Sequence, residues 1–480
     1  MATSQIEPER CRALNEATPN ADGRYVLYWM QASMRAEHNP ALERAIQIAN
    51  DHRAPLVVAC TVVTDYPEAS PRHFAFMLAG MGQALQAIER RGAGVVVRSG
   101  DDPARSIVDL AAEAIEVVLD RGYLRHQRRW RSAVADAAPC AVTYVEGDVV
   151  VPIDEASDKQ ETAARTLRPK IEKRRDDYIV ELATTALDDT SGVRLDTDVE
   201  LGEFDDIGAL LVTLGLDADD APQPVDWITP GTAAAKALFA EFVERIDDYP
   251  DDRNRYTLDR TSMMSPYLHF GQISPVWLAH RIREAGGDGA GEYLEELIVR
   301  RELACNYVEH CADHDSFAGL PGWARTSLEA HEDDERESVY TAAELENGRT
   351  GDEVWNAIME EIRERGWVHN QLRMYWGKQI VRWTNTPRHA YRTLLDLNNR
   401  WFLDGRDPSS YANVAWCFGL HDQGFQERDV SGKLRPFTTA ALKRKDDLSG
   451  WIHDREPTDD RGASGRPASA GECGAGAVGG

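Results

Sequence analysis

The feature that most constrains the fold is a change of periodicity part-way along the 480-residue chain. Between residues 25 and 150, apolar runs such as YVLYWM (25–30) and PLVVACTVV (55–63) alternate with amphipathic helical segments. Buried β-branched strands separated by helices predict a parallel, doubly wound sheet. From residue 231 onward the β-branched runs disappear and the apolar spacing becomes helical. We therefore predict a Rossmann-like α/β N-terminal domain followed by an all-α C-terminal domain.

Short sequence signals predict where individual strands and helices lie. Three further strands are predicted from GVVVR (94–98), IEVVLD (115–120) and AVTYVEGDVVVP (141–152). No GxGxxG follows the first strand, so the dinucleotide-binding fingerprint is absent. Polar residues directly before proline mark helix starts. Examples of such pairs are Asn39–Pro40, Ser265–Pro266 and Ser274–Pro275.

Composition divides the chain into five parts. The segment between the two predicted domains is acidic and rich in turn-forming residues, and the last stretch is rich in Gly, Ala and Ser, which predicts disorder. The predicted parts are an N-terminal extension (1–22), the α/β domain (23–152), an acidic linker with short helices (153–230), the helical domain (231–455) and a disordered tail (456–480).

The charge is unusual in its size and its kind. The formal net charge is −27, and only 8 of the 54 basic residues are lysines, which suggests a surface adapted to high salt. Such a surface disfavours nucleic acid on average, because phosphate contacts need cations. Three segments run against this average, although each could also be a solvated helix face: RHQRRWR (125–131), RPKIEKRR (168–175) and HNQLRMYWGK (369–378).

Cysteine usage and hydropathy predict a cytoplasmic protein. The seven cysteines form no CxxC pair, which is typical of buried thiols in a reducing compartment. No apolar run approaches the ~20 residues that span a bilayer, and the N-terminus lacks the apolar core of a secretory signal.

The segment RMYWGKQIVRW (373–383) concentrates aromatic and cationic side chains. At ~100° per residue, Arg373, Trp376, Ile380 and Trp383 share one helical face. An aromatic core stripe explains this periodicity, and so does a relay of redox-active indoles. Trp355, on the preceding predicted helix, could pack beside the stripe.

Two further constellations could contact a ligand. In LDGRDP (403–408), Asp404 opens a turn, and the backbone of Gly405 could approach a ligand closely. Arg373 is a possible partner for Asp404. In TSMMSP (261–266), three hydroxyls precede a proline-started helix, which is an arrangement that can hold a phosphate. Each feature is also a common turn or helix start.

Taken in order, these motifs resemble those of the photolyase/cryptochrome family, and within it the class II cyclobutane pyrimidine dimer photolyases. The resemblance covers roughly residues 25 to 440 in both halves. It is carried by YWMQASMR (28–35), VEGDVVVP (145–152), ASDKQETAARTLRPKI (156–171), SPYLHFGQISP (265–275), EELIVRREL (295–303), RMYWGK (373–378) and LDGRDPSSYANVAWCFGLHD (403–422).

The resemblance implies an enzyme that repairs DNA with light. A helical domain would hold FAD, and the reduced flavin would pass one electron to a pyrimidine dimer flipped out of the duplex. The dimer would split and the electron return. A second, antenna chromophore of the 8-hydroxy-deazaflavin type could bind the α/β domain. The implied partner is DNA that contains pyrimidine dimers, and the expected state is a monomer.

The resemblance also assigns roles to matching residues. The residues implied to bind FAD are Tyr249, Thr261, Ser262, Met263, Met264, Ser265, Asn370, Arg373, Asp404 and Gly405, with Asn398 near the flavin. The residues implied to contact the lesion are Arg253, Glu296, Met374 and Trp416. The residues implied to conduct electrons are Trp376, Trp355 and Trp383, with Tyr340 as an outer donor. We expect Arg253 and Lys378 to contribute to a local basic patch that receives DNA phosphate.

Two other functions remain open at this point. A cryptochrome-like photoreceptor would share the fold and FAD, but it would not need Glu296, Met374 or Trp416. A dark flavoprotein or nucleotide-binding protein would not need the tryptophans. A flavin spectrum followed by dimer repair under blue light distinguishes the three.

Overall fold

The structure is a computed structural model, and it describes residues 5–453. The tail predicted over 456–480 lies outside the described residues. The six cysteines in the described part are all free thiols, and four of them are buried. Among residues 5–453 we find no helix with the length and apolar character that a bilayer crossing requires.

The N-terminal domain is a six-stranded sheet in the order β1-β6-β5-β2-β3-β4. All neighbouring strands are parallel except β1, which pairs antiparallel with β6. The strands are β1 (Cys11–Ala13), β2 (Tyr25–Trp29), β3 (Leu56–Val63), β4 (Gly94–Gly100), β5 (Ala114–Asp120) and β6 (Ala141–Val145). The helices between them are α1 (Pro40–His52), α2 (Pro71–Arg90), α3 (Pro103–Ala111) and α4 (Arg125–Ala137).

This domain confirms the predicted fold class, with two differences of detail. The edge strand β1 comes from the segment predicted as an extension. The predicted strand over 141–152 is too long, because the sheet stops at Val145. Beyond that point the Val150 and Val151 amides donate to the Glu302 carboxylate of the helical domain, at 2.6 and 3.1 Å. These valines are buried between the domains instead of in the sheet.

The acidic middle segment is built from short helices and irregular chain. Its helices are α5 (Ile153–Ala156), α6 (Ala164–Glu172), α7 (Arg175–Tyr178) and α8 (Ile207–Thr213), with a 3₁₀ turn at Leu201–Asp205. Apolar residues on it, including Phe204 and Leu211, join the core of the α/β domain, while Leu167 and Ile171 join the core of the helical domain. The limits of the five parts that the composition predicts stay predictions.

The C-terminal half is helical. Its helices are α9 (Thr232–Val243), α10 (Tyr249–Asp252), α11 (Ser265–His269), α12 (Pro275–Ala285), α13 (Ala290–Leu294), α14 (Arg301–His310), α15 (Gly322–Ala330), α16 (Ala342–Glu346), α17 (Glu353–Arg365), α18 (Asn370–Trp383), α19 (Pro387–Trp401), α20 (Pro408–Cys417), α21 (Thr439–Lys443) and α22 (Leu448–His453). Single 3₁₀ turns lie at Pro8–Arg10, Ile246–Asp248 and Phe317–Gly319.

Helix starts follow the predicted signals. Asn39 caps α1, and its side chain accepts a hydrogen bond from the Leu42 amide. Ser274 caps α12 and accepts the Trp277 amide, while α11 begins at the Ser265–Pro266 pair. The periodicity did not predict a π-helical segment (Glu295–Arg300) between α13 and α14. Such wide turns are often found at functional sites, because they re-aim side chains within a continuous helix.

Candidate active site

A cavity of about 970 Å³ opens in the helical domain, and we call it the central cavity. It lies between the 162–168 segment, the π-helical segment, α18 and α20. Many of the residues predicted for FAD and the lesion border it together. They are Tyr249, Arg253, Ser262, Met264, Ser265, Glu296, Asn370, Arg373, Met374, Asp404 and Trp416. Residues from six separate stretches of sequence therefore converge on one space of a size typical for cofactor pockets.

An ion pair closes the inner side of the central cavity. The Arg373 guanidinium lies 3.1 Å from Asp404 Oδ1, and both side chains are largely buried. Arg373 Nη2 also donates to Asn398 Oδ1 at 2.6 Å, and the guanidinium stacks on the Phe402 ring at 3.8 Å. Helix α18 supplies the arginine, and α19 and the following turn supply its partners. The predicted Arg373–Asp404 pair is therefore present, and Asn398 belongs to the same group.

Gly405 shapes the turn that carries Asp404. A Cβ at this position would lie 2.7 Å from the Asn399 carbonyl oxygen and 2.8 Å from that of Phe402. The Gly405 amide donates to the same Phe402 carbonyl at 2.8 Å. Only glycine allows this close backbone approach, so Gly405 acts through the turn and does not itself border the central cavity.

The 261–265 loop meets the central cavity at its outer end. Ser262, Met264 and Ser265 border the cavity. Thr261 and Met263 do not: the Thr261 hydroxyl donates to the Met263 sulfur at 3.6 Å, and Met263 has a φ of +54°. This left-handed conformation is unusual for methionine and re-orients the backbone within the loop. The hydroxyls that could meet a phosphate are therefore those of Ser262 and Ser265.

Neighbouring glutamates of the π-helical segment have different environments. Glu296 borders the central cavity, where Arg253 Nη2 donates to its Oε1 at 2.5 Å. Burial lowers the pKa of Arg253, but the carboxylates of Glu296 and Glu292 outweigh it and raise the pKa. Glu295 does not itself border the cavity, and it pairs with Arg168 and Arg300 at 2.8 and 2.9 Å. The predicted choice of Glu296 as the cavity-facing carboxylate agrees with this geometry.

Four aromatic residues form a continuous line away from the central cavity. Trp376 and Trp355 stack with ring centroids 6.2 Å apart, Trp355 meets Trp383 edge-on at 5.8 Å, and Trp383 meets Tyr340 edge-on at 5.4 Å. Trp376 also contacts Phe402, at 5.6 Å, on which Arg373 stacks. The three indoles are buried, whereas Tyr340 is partly exposed. The line thus joins the ion pair to the surface in the order Trp376, Trp355, Trp383, Tyr340.

The chain is similar to known proteins along nearly its whole length. A family model described as DNA photolyase matches residues 26–187. The deoxyribodipyrimidine photo-lyase of Methanothermobacter thermautotrophicus is 41% identical over 450 residues, which is 93% of this chain and 98% of that protein. The protein of the same name from Arabidopsis thaliana is 34% identical over 468 residues, covering 94% of this chain and 93% of its own.

The chain belongs to the DNA photolyase family.

Solved structures show that the photolyase fold extends over both domains. A class III photolyase from Agrobacterium tumefaciens superposes with a TM-score of 0.66 at 18% identity, covering 91% of this chain and 87% of that one. A cryptochrome from Synechocystis has a TM-score of 0.70 at 14% identity, covering 90% and 88%. At such identities these neighbours support the fold alone.

One prediction about this photolyase site is wrong. Lys378 does not belong to a surface basic patch, because it is 5% exposed and its Nζ donates to the Cys417 carbonyl at 2.6 Å. The helical periodicity placed Lys378 off the tryptophan face, but it could not show that α20 covers it. The arginines that border the central cavity instead include Arg165, Arg168 and Arg300, which the sequence reasoning did not assign to the site. The basic run at 168–175 was the available signal for Arg168.

A second, smaller cavity of about 110 Å³ lies between the domains, and we call it the interdomain cavity. Residues that follow β2, β3 and β5 border it, including Gln31, Tyr66 and Arg121. In doubly wound sheets, ligands bind at the carboxyl ends of strands where the order reverses, which here is between β2 and β5. Buried nitrogen atoms of Arg406 and Gln31 have no hydrogen-bond partner among the described residues.

Proposed function

We propose that this protein is a deoxyribodipyrimidine photo-lyase, a carbon–carbon lyase that splits cyclobutane pyrimidine dimers in DNA under light, and that it is of the class II type. The observation that carries the proposal is the convergence on one cavity of the Arg373–Asp404 ion pair with the Glu296, Met374 and Trp416 side chains. The tryptophan line reaches this ion pair through Phe402, which contacts Trp376 and stacks on Arg373. Homologues with this name span nearly the whole chain.

The residues of the central cavity fit FAD, which the photolyase/cryptochrome family generally binds. Ser262 and Ser265 offer hydroxyls for a diphosphate, and Tyr249 adds an aromatic ring at the same end. Asn370, Arg373 and Asp404 offer both donors and acceptors for a polar ring edge. When bound, FAD supplies light absorption and reversible one-electron transfer.

The remaining lining residues suit a flipped pyrimidine dimer. Met374 and Trp416 present apolar and aromatic surface for stacking, which is worth ~1–3 kcal/mol per base. Glu296 presents a carboxylate that can accept hydrogen bonds from a base edge. Arg253 holds Glu296 in place, and its guanidinium is close enough to the cavity rim to receive a DNA phosphate. A pyrimidine dimer pairs poorly, so its extrusion into this cavity costs less than that of a normal base.

The cryptochrome-like alternative has less support. A cryptochrome shares the fold, but a photoreceptor has no need for a glutamate, a methionine and a tryptophan arranged around an open cavity. A dark flavoprotein would have no use for a line of four aromatic residues with centroid spacings of 5.4 to 6.2 Å. Repair is therefore the function that uses all the features.

The interdomain cavity is the proposed site of a second, light-harvesting chromophore of the 8-hydroxy-deazaflavin type. Tyr66 and Trp130 border it with aromatic rings, and the Tyr66 hydroxyl bonds His126 Nε2 at 2.8 Å. The unpartnered Arg406 nitrogens offer donors for an anionic heterocycle. An absorption band beyond those of flavin in the purified protein supports this assignment.

The setting proposed for this activity is a reducing, salt-rich cytoplasm, with the protein acting as a monomer on DNA. The free thiols and the net charge of −27 support it.

Illumination of the purified protein with an oligonucleotide that contains one thymine dimer tests the function. We expect loss of the dimer under blue light and none in a dark sample, with a flavin spectrum in both. A flavin-containing protein that leaves the dimer intact under light contradicts repair and favours the photoreceptor.

A further inference from the structure

A buried cation lies behind one side of the central cavity. Lys378 on α18 is 5% exposed. Its Nζ donates to the Cys417 carbonyl at 2.6 Å and lies 5.3 Å from the ring centroid of Trp416. Cys417 is the last residue of α20, so its carbonyl is one of those that a helix leaves unpaired. One ammonium group thus caps the helix end and faces the indole that borders the cavity.

Burial of the Lys378 ammonium group costs free energy, so Lys378 is expected to have a role other than stabilising the fold. Taking an ammonium group out of water is unfavourable unless it is well paired. Burial lowers the pKa of Lys378 to about 8, with the neighbouring Cys417 and Asp422 raising it and Arg435 lowering it. Asp422 itself is bound by Arg435 through two hydrogen bonds of 2.8 Å. Within residues 5–453, Lys378 therefore has no carboxylate of its own, and its ammonium charge interacts chiefly with a carbonyl and an aromatic ring.

The packing of α18 against α20 holds this contact in one geometry. A Cβ at Gly377 would lie 2.8 Å from Cys417 Sγ, so glycine lets the two helices approach closely. Lys378 directly follows that closest point. Trp416 borders the central cavity, whereas Lys378 is buried behind it.

We propose that Lys378 is a positioning residue, which fixes the Trp416 indole by a cation–π contact and by anchoring the end of α20, and so sets the preference of the cavity for a flipped pyrimidine dimer. This inference rests on the proposed function. Loss of the Lys378 proton removes the cation–π attraction and weakens the anchor. The preference for dimer-containing DNA therefore falls as the pH rises through the titration of Lys378.

Binding in the dark tests the proposal without requiring repair. The dissociation constants for an oligonucleotide with one thymine dimer and for the same undamaged oligonucleotide are measured from pH 7 to 9.5. We expect the preference of the unaltered protein to fall about tenfold, or ~1.4 kcal/mol, over this range. Lys378→Met and Lys378→Gln should show the low preference at pH 7 already and a flat profile. The matched control is Lys433→Met, which removes the same charge from an exposed position and should keep the full pH profile.

A second readout follows Lys378 directly. The chain has eight lysines, so protein labelled with ¹³C at lysine Cε gives few NMR signals. The signal lost in Lys378→Met should titrate near pH 8 and shift when dimer-containing DNA is added. Glu302 also has a pKa raised to about 8, but it lies at the domain interface, and its titration would persist in the Lys378 variants.

Two results overturn the proposal: a dimer preference that is constant from pH 7 to 9.5 in the unaltered protein, or an equal loss of preference in Lys433→Met. The pH series on the unaltered protein tests the proposal even if a variant does not fold. If the protein shows no preference for dimer-containing DNA at any pH, the proposed function is contradicted as well. If it prefers the dimer equally at every pH, only the role of Lys378 is contradicted.

Discussion

The indoles of Trp355 and Trp376 stack with an interplanar angle of 13°, and the Trp355 Nε1 donates to the Trp376 backbone carbonyl at 3.0 Å. By contrast, Trp376 Nε1 is buried and has no acceptor among the described residues. A hydrogen bond to a carbonyl favours a positive charge on the donor indole. The charge left after Trp376 is oxidised should therefore be more stable on Trp355, which directs it away from the central cavity.

The first prediction concerns this line. Trp376→Phe should slow photoreduction of oxidised FAD at least tenfold, because phenylalanine fills most of the volume but is much harder to oxidise. Repair by chemically reduced enzyme should be nearly unchanged. Flavin absorbance under steady blue light measures the first, and dimer loss measures the second. Trp29→Phe, at an equally buried tryptophan of the α/β domain, is the control. Photoreduction at the parental rate in Trp376→Phe would show that the line is structural.

The second prediction concerns the ion pair. Arg373→Ala leaves Asp404 without its cation and Asn398 without its donor. Breaking such a pair typically costs ~3–5 kcal/mol when it is buried. We expect most of the FAD to be lost on purification, measured as flavin absorbance per protein. Arg382→Ala removes an exposed arginine from the same helix and should retain the cofactor. Full flavin content in Arg373→Ala would remove the ion pair from the cofactor site.

The third prediction compares two adjacent carboxylates. Glu296→Ala should lower the quantum yield of repair severalfold and leave FAD content unchanged, because Glu296 borders the central cavity. Glu295→Ala should do little to repair. It breaks partly exposed pairs with Arg168 and Arg300, which are worth ~0–1 kcal/mol. Quantum yield is measured as dimers split per photon absorbed. Equal losses in the two variants would refute the assignment of Glu296.

Sequence periodicity predicted the elements because each strand or helix carries its own pattern. The strands 56–63 and 94–100 lie within two residues of their predicted limits. These local patterns do not show which segments that are distant in the sequence come into contact. The sequence pattern predicts that Val150 and Val151 lie in a strand. Their amides instead donate hydrogen bonds to the Glu302 carboxylate, which is more than 150 positions away.

The same limit applies to the site. The motifs supplied many of the residues that border the central cavity, but the burial of Lys378 depends on how closely α20 approaches α18. The order of the tryptophans depends on side-chain directions across two helices. The position of Arg300 at the central cavity depends on the π-helical segment, which has no sequence signature here.

The fourth prediction concerns the net charge of −27. Molar potassium chloride shortens the Debye length to ~3 Å, which screens repulsion between carboxylates across the surface. We expect the melting temperature to rise by ~10 °C or more between 0.1 and 2 M salt. Sucrose of equal osmolality is the control for general solvent effects. A melting temperature that stays flat or falls with salt would contradict a salt-adapted surface.

The fifth prediction follows from Glu302, which is buried at the domain interface. Burial raises the pKa of Glu302 to about 8. The hydrogen bonds that its carboxylate accepts from the Val151 and Val150 amides lower the pKa, and the nearby Glu146 carboxylate raises it. A carboxyl with a raised pKa binds a proton in the folded state that it has lost in the unfolded state. Its contribution to stability is therefore present at low pH, declines as the pH rises above the unfolded value of ~4.3, and is gone above about 8.

Glu302→Gln should remove this dependence. The amide oxygen can still accept from Val150 and Val151, and the side chain no longer needs to hold a proton or a buried charge. We expect the stability advantage of the variant over the parent to grow by ~3–4 kcal/mol between pH 5.5 and pH 8.5, since each pH unit between the unfolded and folded pKa values is worth about 1.4 kcal/mol. Denaturant unfolding at the two pH values measures the difference. Glu241→Gln, on an exposed face of α9, should behave as the parent at both. A Glu302→Gln protein that is less stable at pH 8.5 would mean that the ionised carboxylate is stabilised in the fold, contrary to the raised pKa.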